Sequence, residues 1–226
     1  MFPFPAAVAR PVPRKEVAST PSAMQAVYKE WKQLEDKGVW NRSTVREWSD
    51  VCKEARLKGT NAHLGTVFGI TVEKNSESPD PADRKYKHRV VFAGDRVRDI
   101  DFAAAIFQDL GSAPATMEAS KCADAIGCCP GHAAEEADAE QAYTQALYDG
   151  EETWIQLPED QWSPEWHGMR RPVVKLERAL YGHPDAGTLW EKHCDAVLQE
   201  KGWMPIPNWR STYWHEECKT MLVVYV

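Results

Sequence analysis

Apolar residues recur at helical spacing in three segments of the chain. The first follows Ser22 and Gln25, which match a capping box, and Gly38 is placed to end it. The second covers about 116–126 and the third about 186–201. Because apolar side chains three and four residues apart share one face of a helix, these segments predict three amphipathic helices.

Other segments carry the shorter apolar and β-branched runs that are typical of strands. The runs at 63–73 and 88–92 flank a Ser-, Asp- and Pro-rich stretch at 75–85, which predicts an antiparallel pair joined by an exposed turn. Further strands are predicted at TWIQL (153–157), PVVKL (172–176) and MLVVYV (221–226), the last as a buried strand because its apolar run is unbroken. Helices and strands together predict an α+β fold.

Composition limits the classes of protein that fit this pattern. With 226 residues, 43% of them hydrophobic, and ten tryptophans, the chain can bury a sizeable core. Residues 1–21 are rich in Pro and Ala and are predicted to be a disordered leader, with order from 22 onward. No apolar segment is long enough to span a bilayer, so no membrane partner is expected. The N-terminus also lacks the apolar centre of a signal peptide.

Cysteines and net charge add two expectations. The six cysteines are scattered rather than framed, which indicates reduced thiols in an intracellular protein without disulfides. A zinc site can be imagined from Cys122, Cys128, Cys129 and His132, but the spacing does not fit paired CxxC ligands, and buried thiols are the alternative. The net charge of -7 argues against a general nucleic-acid binder, although it allows a local basic groove.

Two groups of polar residues are candidates for chemistry. Lys87 and Arg89 alternate with His88 along the predicted strand, so both should lie on one face, where they can bind a triphosphate or simply be solvated. Asp138 lies in AAEEADAEQAYTQA, whose helix propensity is high, so a solvated helical acid is the alternative to a functional carboxylate.

Six blocks of sequence, in order, resemble the reverse transcriptase of copia-type retrotransposons. YKHRVVFAG is similar to that family's basic fingers strand, usually YKARLVAKG, and VVKLERALYGHPDAGTLWEKHCDAVLQEKGW to its block VCKLKKALYGLKQAPRAWY. The others are AMQAVYKEWKQLEDKGVW, RDIDFAAAIFQDLG, EADAEQAYTQALYDGEETWIQLPE, which resembles the palm block, and MLVVYV, which resembles the strand before the YVDD turn. Collinear blocks are far more specific than any single motif.

The resemblance implies reverse-transcriptase fingers, mainly residues 22–132, and a palm, mainly 133–226, that is incomplete and has no thumb. It also implies RNA-directed DNA synthesis with two Mg²⁺ ions, a nucleoside triphosphate and an RNA or DNA primer–template. The matching positions are Asp138 as catalytic and metal-binding carboxylate, Ala139 as backbone-carbonyl metal ligand, Tyr143 as floor of the sugar pocket, Lys87 and Arg89 on the triphosphate, and Asp185 beside the incoming nucleotide.

This chain departs from the family at several of these places. Asp185 stands where the family usually has Gln, Ala93 where it has Lys, and Thr188 where it has Arg, and each change lowers the positive charge. The sequence ends at Val226, before the second pair of catalytic aspartates. We therefore expect a reverse-transcriptase-like chain that does not extend primers, with a non-catalytic remnant that binds nucleic acid or protein as the alternative.

Overall fold

A computed structural model describes residues 8–107 and 114–225 of the chain. Its helices are α1 (Arg14–Ser19), α2 (Pro21–Asp36), α3 (Trp48–Lys58), α4 (Met117–Gly127) and α5 (Ala186–Glu200). Its strands are β1 (Ala9–Pro11), β2 (Trp40–Glu47), β3 (His63–Lys74), β4 (Lys85–Phe92), β5 (Thr153–Gln156), β6 (Pro172–Leu176), β7 (Trp203–Pro205), β8 (Thr212–His215) and β9 (Thr220–Val223). None of these helices is long and apolar enough to cross a bilayer.

The strands form two sheets, so the described chain is a mixed α+β structure. The larger sheet has the order β1-β3-β5-β6-β2, with β4 also paired to β3, and the smaller has the order β7-β8-β9. β3 changes partners along its length: residues 63–66 pair in parallel with β5, residues 67–74 pair antiparallel with β4, and residues 72–74 also pair with β1. The hairpin of β3 and β4 was predicted from sequence and is confirmed.

The main core lies between α2 and the larger sheet. Trp31 and Leu34, three residues apart on one face of α2, are buried in the same cluster as Val90 and Phe92 of β4. The opposite face of α2 exposes Lys32 and Asp36, as expected for an amphipathic helix. Tyr28, three residues before Trp31 and expected with the apolar residues, is instead 69% exposed. The predictions of α2, α4, α5, β5 and β6 are likewise confirmed, with small differences in their bounds.

The start of α2 differs from the prediction. Ser22 and Gln25 form no capping box, because the helix begins at Pro21 with Thr20 as its N-cap, and the cap makes no side-chain hydrogen bond. Proline is well suited to the first helical position, since its fixed φ is already helical and the missing N–H would have no partner there. The proline, rather than the serine after it, therefore sets the start of this helix.

The prediction of a disordered leader over residues 1–21 is wrong for the part that is described. β1 pairs antiparallel with the end of β3, and α1 follows it. Arg10 donates to Glu73 and Glu16, and Val12, Val17 and Ala23 share a small buried cluster. A small apolar cluster and an arginine between two acids hold this segment on the sheet. Residues 1–7 lie outside the described part.

The C-terminal run MLVVYV is a strand, but it is not buried as predicted. β9 pairs with β8 alone among the described strands, its residues 221–223 are half-buried, and Tyr225 is 59% exposed. An unbroken apolar run indicates a strand without showing how many neighbours that strand has. Val226 lies outside the described residues.

A close backbone contact joins the end of β4 to the loop after β6. The Phe92 N–H donates to the Tyr181 carbonyl at 2.7 Å. Gly182 has φ +86°, and a Cβ there would lie 2.2 Å from the Phe92 carbonyl oxygen. From the other side, a Cβ on Gly94 would lie 2.3 Å from the Gly182 carbonyl oxygen. The approach is therefore possible only with glycine at these two positions.

We expect Gly182→Ala to lower the free energy of unfolding by about 3 kcal/mol, because it combines a positive φ with a backbone clash. Urea denaturation followed by circular dichroism measures this change. Gly131→Ala is the matched control, since Gly131 has φ +83° but open space around it. The control should cost about 1 kcal/mol, the strain of the positive φ alone. Equal losses in the two variants would contradict the close contact.

Candidate functional site

Lys87 and Arg89 lie on one face of β4, as their spacing predicts. His88 between them is buried on the opposite face, where its Nδ1 lies 2.8 Å from the Thr71 hydroxyl. The register places Lys87 opposite Val72 and Arg89 opposite Ile70. The hairpin therefore presents both cations to the same side, away from the packing of His88.

The register also adds residues to this side. Lys74 pairs with Lys85 near the hairpin turn, and both are exposed. Phe68 and Ile70 lie on the same side of β3 and remain 42% and 44% exposed. We call this surface the basic face. It consists of Lys74, Lys85, Lys87 and Arg89 together with Phe68 and Ile70.

Arg89 is the cation of the basic face that lies farthest from the hairpin turn, and it is surrounded by two tyrosines and one acid. Its guanidinium carbon lies 6.0 Å from the centroid of the Tyr181 ring, within the range of a cation–π contact. Tyr181 in turn packs edge-on against Tyr143, with ring centroids 4.7 Å apart. On its other side, Arg89 Nη1 lies 3.4 Å from the Glu30 carboxylate of α2.

Lys87 is a cation with more positive than negative charge acting on it. Partial burial lowers its pKa, and the neighbouring charges of Arg89 and Lys74 lower it further, against weaker opposing effects of Asp138 and Glu30. Within residues 8–107 and 114–225, its ammonium group has no hydrogen-bond or ion-pair partner. A lysine held among like charges gains from any anion that binds next to it.

Asp138 lies outside the helices and strands of the structure. Residues 132–139 have no regular secondary structure, so Asp138 is neither at the end of a strand, as the resemblance implies, nor in a helix, as its propensity suggests. Asp138 and Ala139 are both exposed. The carboxylate is nevertheless close enough to Lys87 and Tyr181 to influence the pKa of each.

The donor set around Asp138 does not fit a pair of Mg²⁺ ions. Two-metal sites use several carboxylates to hold ions about 4 Å apart. In the described part of the chain, no group of three His, Cys, Asp or Glu side chains lies close enough together to hold a metal ion. We derive no catalytic step from such a site.

Tyr143 comes from the same segment but is more firmly placed. It lies in a short 3-10 turn, Ala142–Gln145, and packs on the cluster that Trp190 and Leu189 of α5 form. The Lys37 ammonium donates to the Thr144 hydroxyl at 3.2 Å, and Arg178 donates to the Gln145 carbonyl at 2.9 Å. These contacts fix Tyr143 against Tyr181 as a wall beside Arg89.

Asp185 contacts a different group of residues. It precedes α5 as its N-cap, and its backbone N–H donates to His183 Nδ1 at 3.1 Å. Burial raises the pKa of its carboxyl, while the charges of His63 and Lys192 lower it. The structure therefore brings Arg89, Tyr143 and Asp138 around Tyr181. Lys87 lies on the same face of β4 as Arg89, whereas Asp185 faces the histidines.

His183 is enclosed by aromatic rings. Its ring centroid lies 4.7 Å from that of Phe92, 5.4 Å from Phe107 and 4.9 Å from Tyr148. Its Nε2 is buried, and no described residue offers it a hydrogen bond. Burial lowers the pKa of His183 from the ordinary 6.5 to about 4, and the positive charge of His63 contributes in the same direction. The folded protein therefore resists protonation at this position.

The lowered pKa of His183 predicts that the folded protein becomes less stable in acid. As the pH falls below 6.5, the unfolded chain takes up a proton on His183 while the folded chain does not, until the pH reaches about 4. The free energy of unfolding should therefore fall across that interval by up to about 3 kcal/mol. Denaturant titrations in that pH range measure the slope, which His183→Asn should reduce and His132→Asn, at an exposed position, should not. An unchanged slope in His183→Asn would contradict the assignment.

The cysteines do not form a zinc site among the residues that the structure describes. All six have free thiols. Cys128, Cys129 and His132 are exposed on the turn after α4, and Cys122 is half-buried. The alternative of buried thiols is therefore wrong for Cys128 and Cys129, because the helix ends just before them and nothing covers the Pro-Gly turn that follows.

Sequence reasoning missed several residues of the site. Glu30 resembles any exposed helix acid until its partner strand is known, and Tyr181 lies inside a matched block without a distinguishing pattern. The available signal was the alternation of polar and apolar residues on the strand at 63–73, but using it requires the register with the second strand.

Comparison of the chain with protein-family models, with curated proteins and with solved structures finds no match. The geometry of the site is therefore the argument for its function.

Proposed function

We propose that this chain binds single-stranded nucleic acid along the basic face, as a relative of the fingers and palm of copia-type reverse transcriptases that does not polymerise. The observation that carries the proposal is the register of β3 and β4, which places four cations and two exposed apolar side chains on one surface. Phosphates would bind to Lys74, Lys85, Lys87 and Arg89.

The exposed apolar groups favour a single strand over a duplex. Ile70 pairs with Arg89, and Phe68 lies just beyond it opposite Val91, so unstacked bases can pack on them beside the cations, whereas a duplex keeps its bases inside. Tyr181 and Tyr143 provide two further rings at the Arg89 end. Because the chain as a whole carries a charge of -7, attraction of phosphates must come from this local surface and not from the total charge.

The proposal is tested by titrating the protein with a fluorescently labelled oligo-dT at several salt concentrations. We expect affinity to fall steeply with salt, because each bound phosphate releases condensed counterions. Lys87→Ala combined with Arg89→Ala should weaken binding at least about tenfold. It should also reduce the salt slope by about 0.7 for each phosphate that the variant no longer binds.

The control for this experiment removes two exposed cations elsewhere. Arg96→Ala combined with Lys219→Ala changes the net charge by the same amount, and both side chains are more than 60% exposed. This variant should bind like the parent protein. Equal weakening in both double variants, or binding that does not respond to salt, would contradict a site on the basic face.

Polymerase activity is a separate expectation. With Asp138 as the single carboxylate at the matched position, two Mg²⁺ ions cannot be held in reacting geometry, so we expect no primer extension on an RNA template with Mg²⁺ and nucleoside triphosphates. Gel-resolved extension of a labelled primer measures this directly. Extension that Asp138→Ala abolishes would overturn the expectation, and Asp149→Ala, an acid in the neighbouring loop, is the control.

A further inference from the structure

Glu30 is a buried acid at the centre of the cations of the site. It is 6% exposed, although it belongs to a helix whose other face is in solvent. β4 pairs with β3 alone among the described strands, and α2 packs against β4. There the Glu30 carboxylate lies 3.4 Å from Arg89 Nη1, and the Val90 backbone N–H is close enough to lower its pKa.

The charges around Glu30 come from three elements. Arg89 and Lys87 face it from β4, Lys37 from the C-terminal end of α2, and the Tyr181 hydroxyl from the loop after β6. Asp138 is the other acid close to this group, through its effect on Lys87 and Tyr181. Burial raises the pKa of Glu30, and the three cations oppose that rise.

We infer that Glu30 is a positioning residue of this site, an internal anion that holds Arg89 in place without ligand and releases it when it takes up a proton. A bound phosphate would bring a second negative charge to the same cations. Two anions that share one set of cations repel each other, so ligand binding and ionisation of Glu30 oppose each other. Only the ligand half of this inference rests on the proposed function.

The sign of the pH dependence follows from this opposition. Binding of an oligonucleotide favours protonated Glu30, so affinity should rise as the pH is lowered toward the raised pKa of this carboxyl. Oligo-dT is the suitable probe, because its phosphodiesters and thymines keep the same charge between pH 5 and pH 8. His63, His88 and His183 resist protonation through burial and lie outside the basic face.

The first experiment needs no ligand. Carbon-13 NMR of the side-chain carboxyl groups follows the titration of Glu30 in the parent protein and in Arg89→Gln, with assignment from Glu30→Gln. We expect the titration midpoint of Glu30 to move to higher pH in Arg89→Gln, because the carboxylate loses its nearest cation. A midpoint that does not move would overturn the inference, whether or not the protein binds nucleic acid.

The second experiment measures oligo-dT affinity between pH 8 and pH 5. In the parent protein we expect the affinity to rise about threefold to tenfold. Glu30→Gln keeps an oxygen for the Val90 N–H but removes the charge, so it should bind about threefold to tenfold more tightly at pH 8 and show a flat profile. Glu35→Gln, on the exposed side of the same helix beside Arg42, should behave like the parent protein.

The outcomes separate the inference from the proposed function. A Glu30→Gln profile that keeps the slope of the parent protein would overturn the role of Glu30, even if binding itself is strong. A merely structural role for Glu30 would change stability and leave the slope intact. Failure of the parent protein to bind oligo-dT at any pH would overturn the proposed function, and the role of Glu30 would then be decided by the NMR titration.

Discussion

The contact between Phe92 and the Tyr181–Gly182 backbone is the constraint on which the rest of the site depends. It fixes the loop after β6 against the end of β4, at 2.7 Å between nitrogen and oxygen. Tyr181 is thereby placed over Arg89, and His183, two residues later, enters its enclosure of aromatic rings. One short backbone contact thus positions both a polar site and a buried, uncharged one, and the absence of a Cβ on Gly182 makes it possible.

The basic face combines exposed cations with a buried acid next to them. Acids outnumber bases overall, 34 Asp and Glu to 27 Lys and Arg, yet the hairpin concentrates its cations on one surface, and Glu30, a buried acid of α2, lies next to Arg89. A buried carboxylate close to several cations costs desolvation, which the Val90 N–H and Arg89 offset only in part. Such an arrangement adds little to stability and is better explained by what it does to the cations.

Periodicity predicted α2, α4 and α5, the hairpin and the shared face of Lys87 and Arg89, because local alternation determines which way side chains point. It did not predict α1 or α3. It also did not predict which residues of β3 stand opposite Lys87 and Arg89, since register depends on pairing over distance. Around Asp138, helix propensity and the strand expected from resemblance gave opposite answers, and the irregular chain there follows neither. Glu30 was missed for the related reason that a helix sequence does not show which strand the helix packs against.

The divided pairing of β3 has a consequence for the order in which this chain folds. Its second half pairs with β4 across the connecting turn, whereas its first half waits for β5, which lies 90 residues further along the chain. Local pairs form before distant ones because closing a long loop costs entropy first. During synthesis the hairpin can therefore form, with its cations exposed, before β5, which joins the first half of β3 to the rest of the sheet, has emerged from the ribosome.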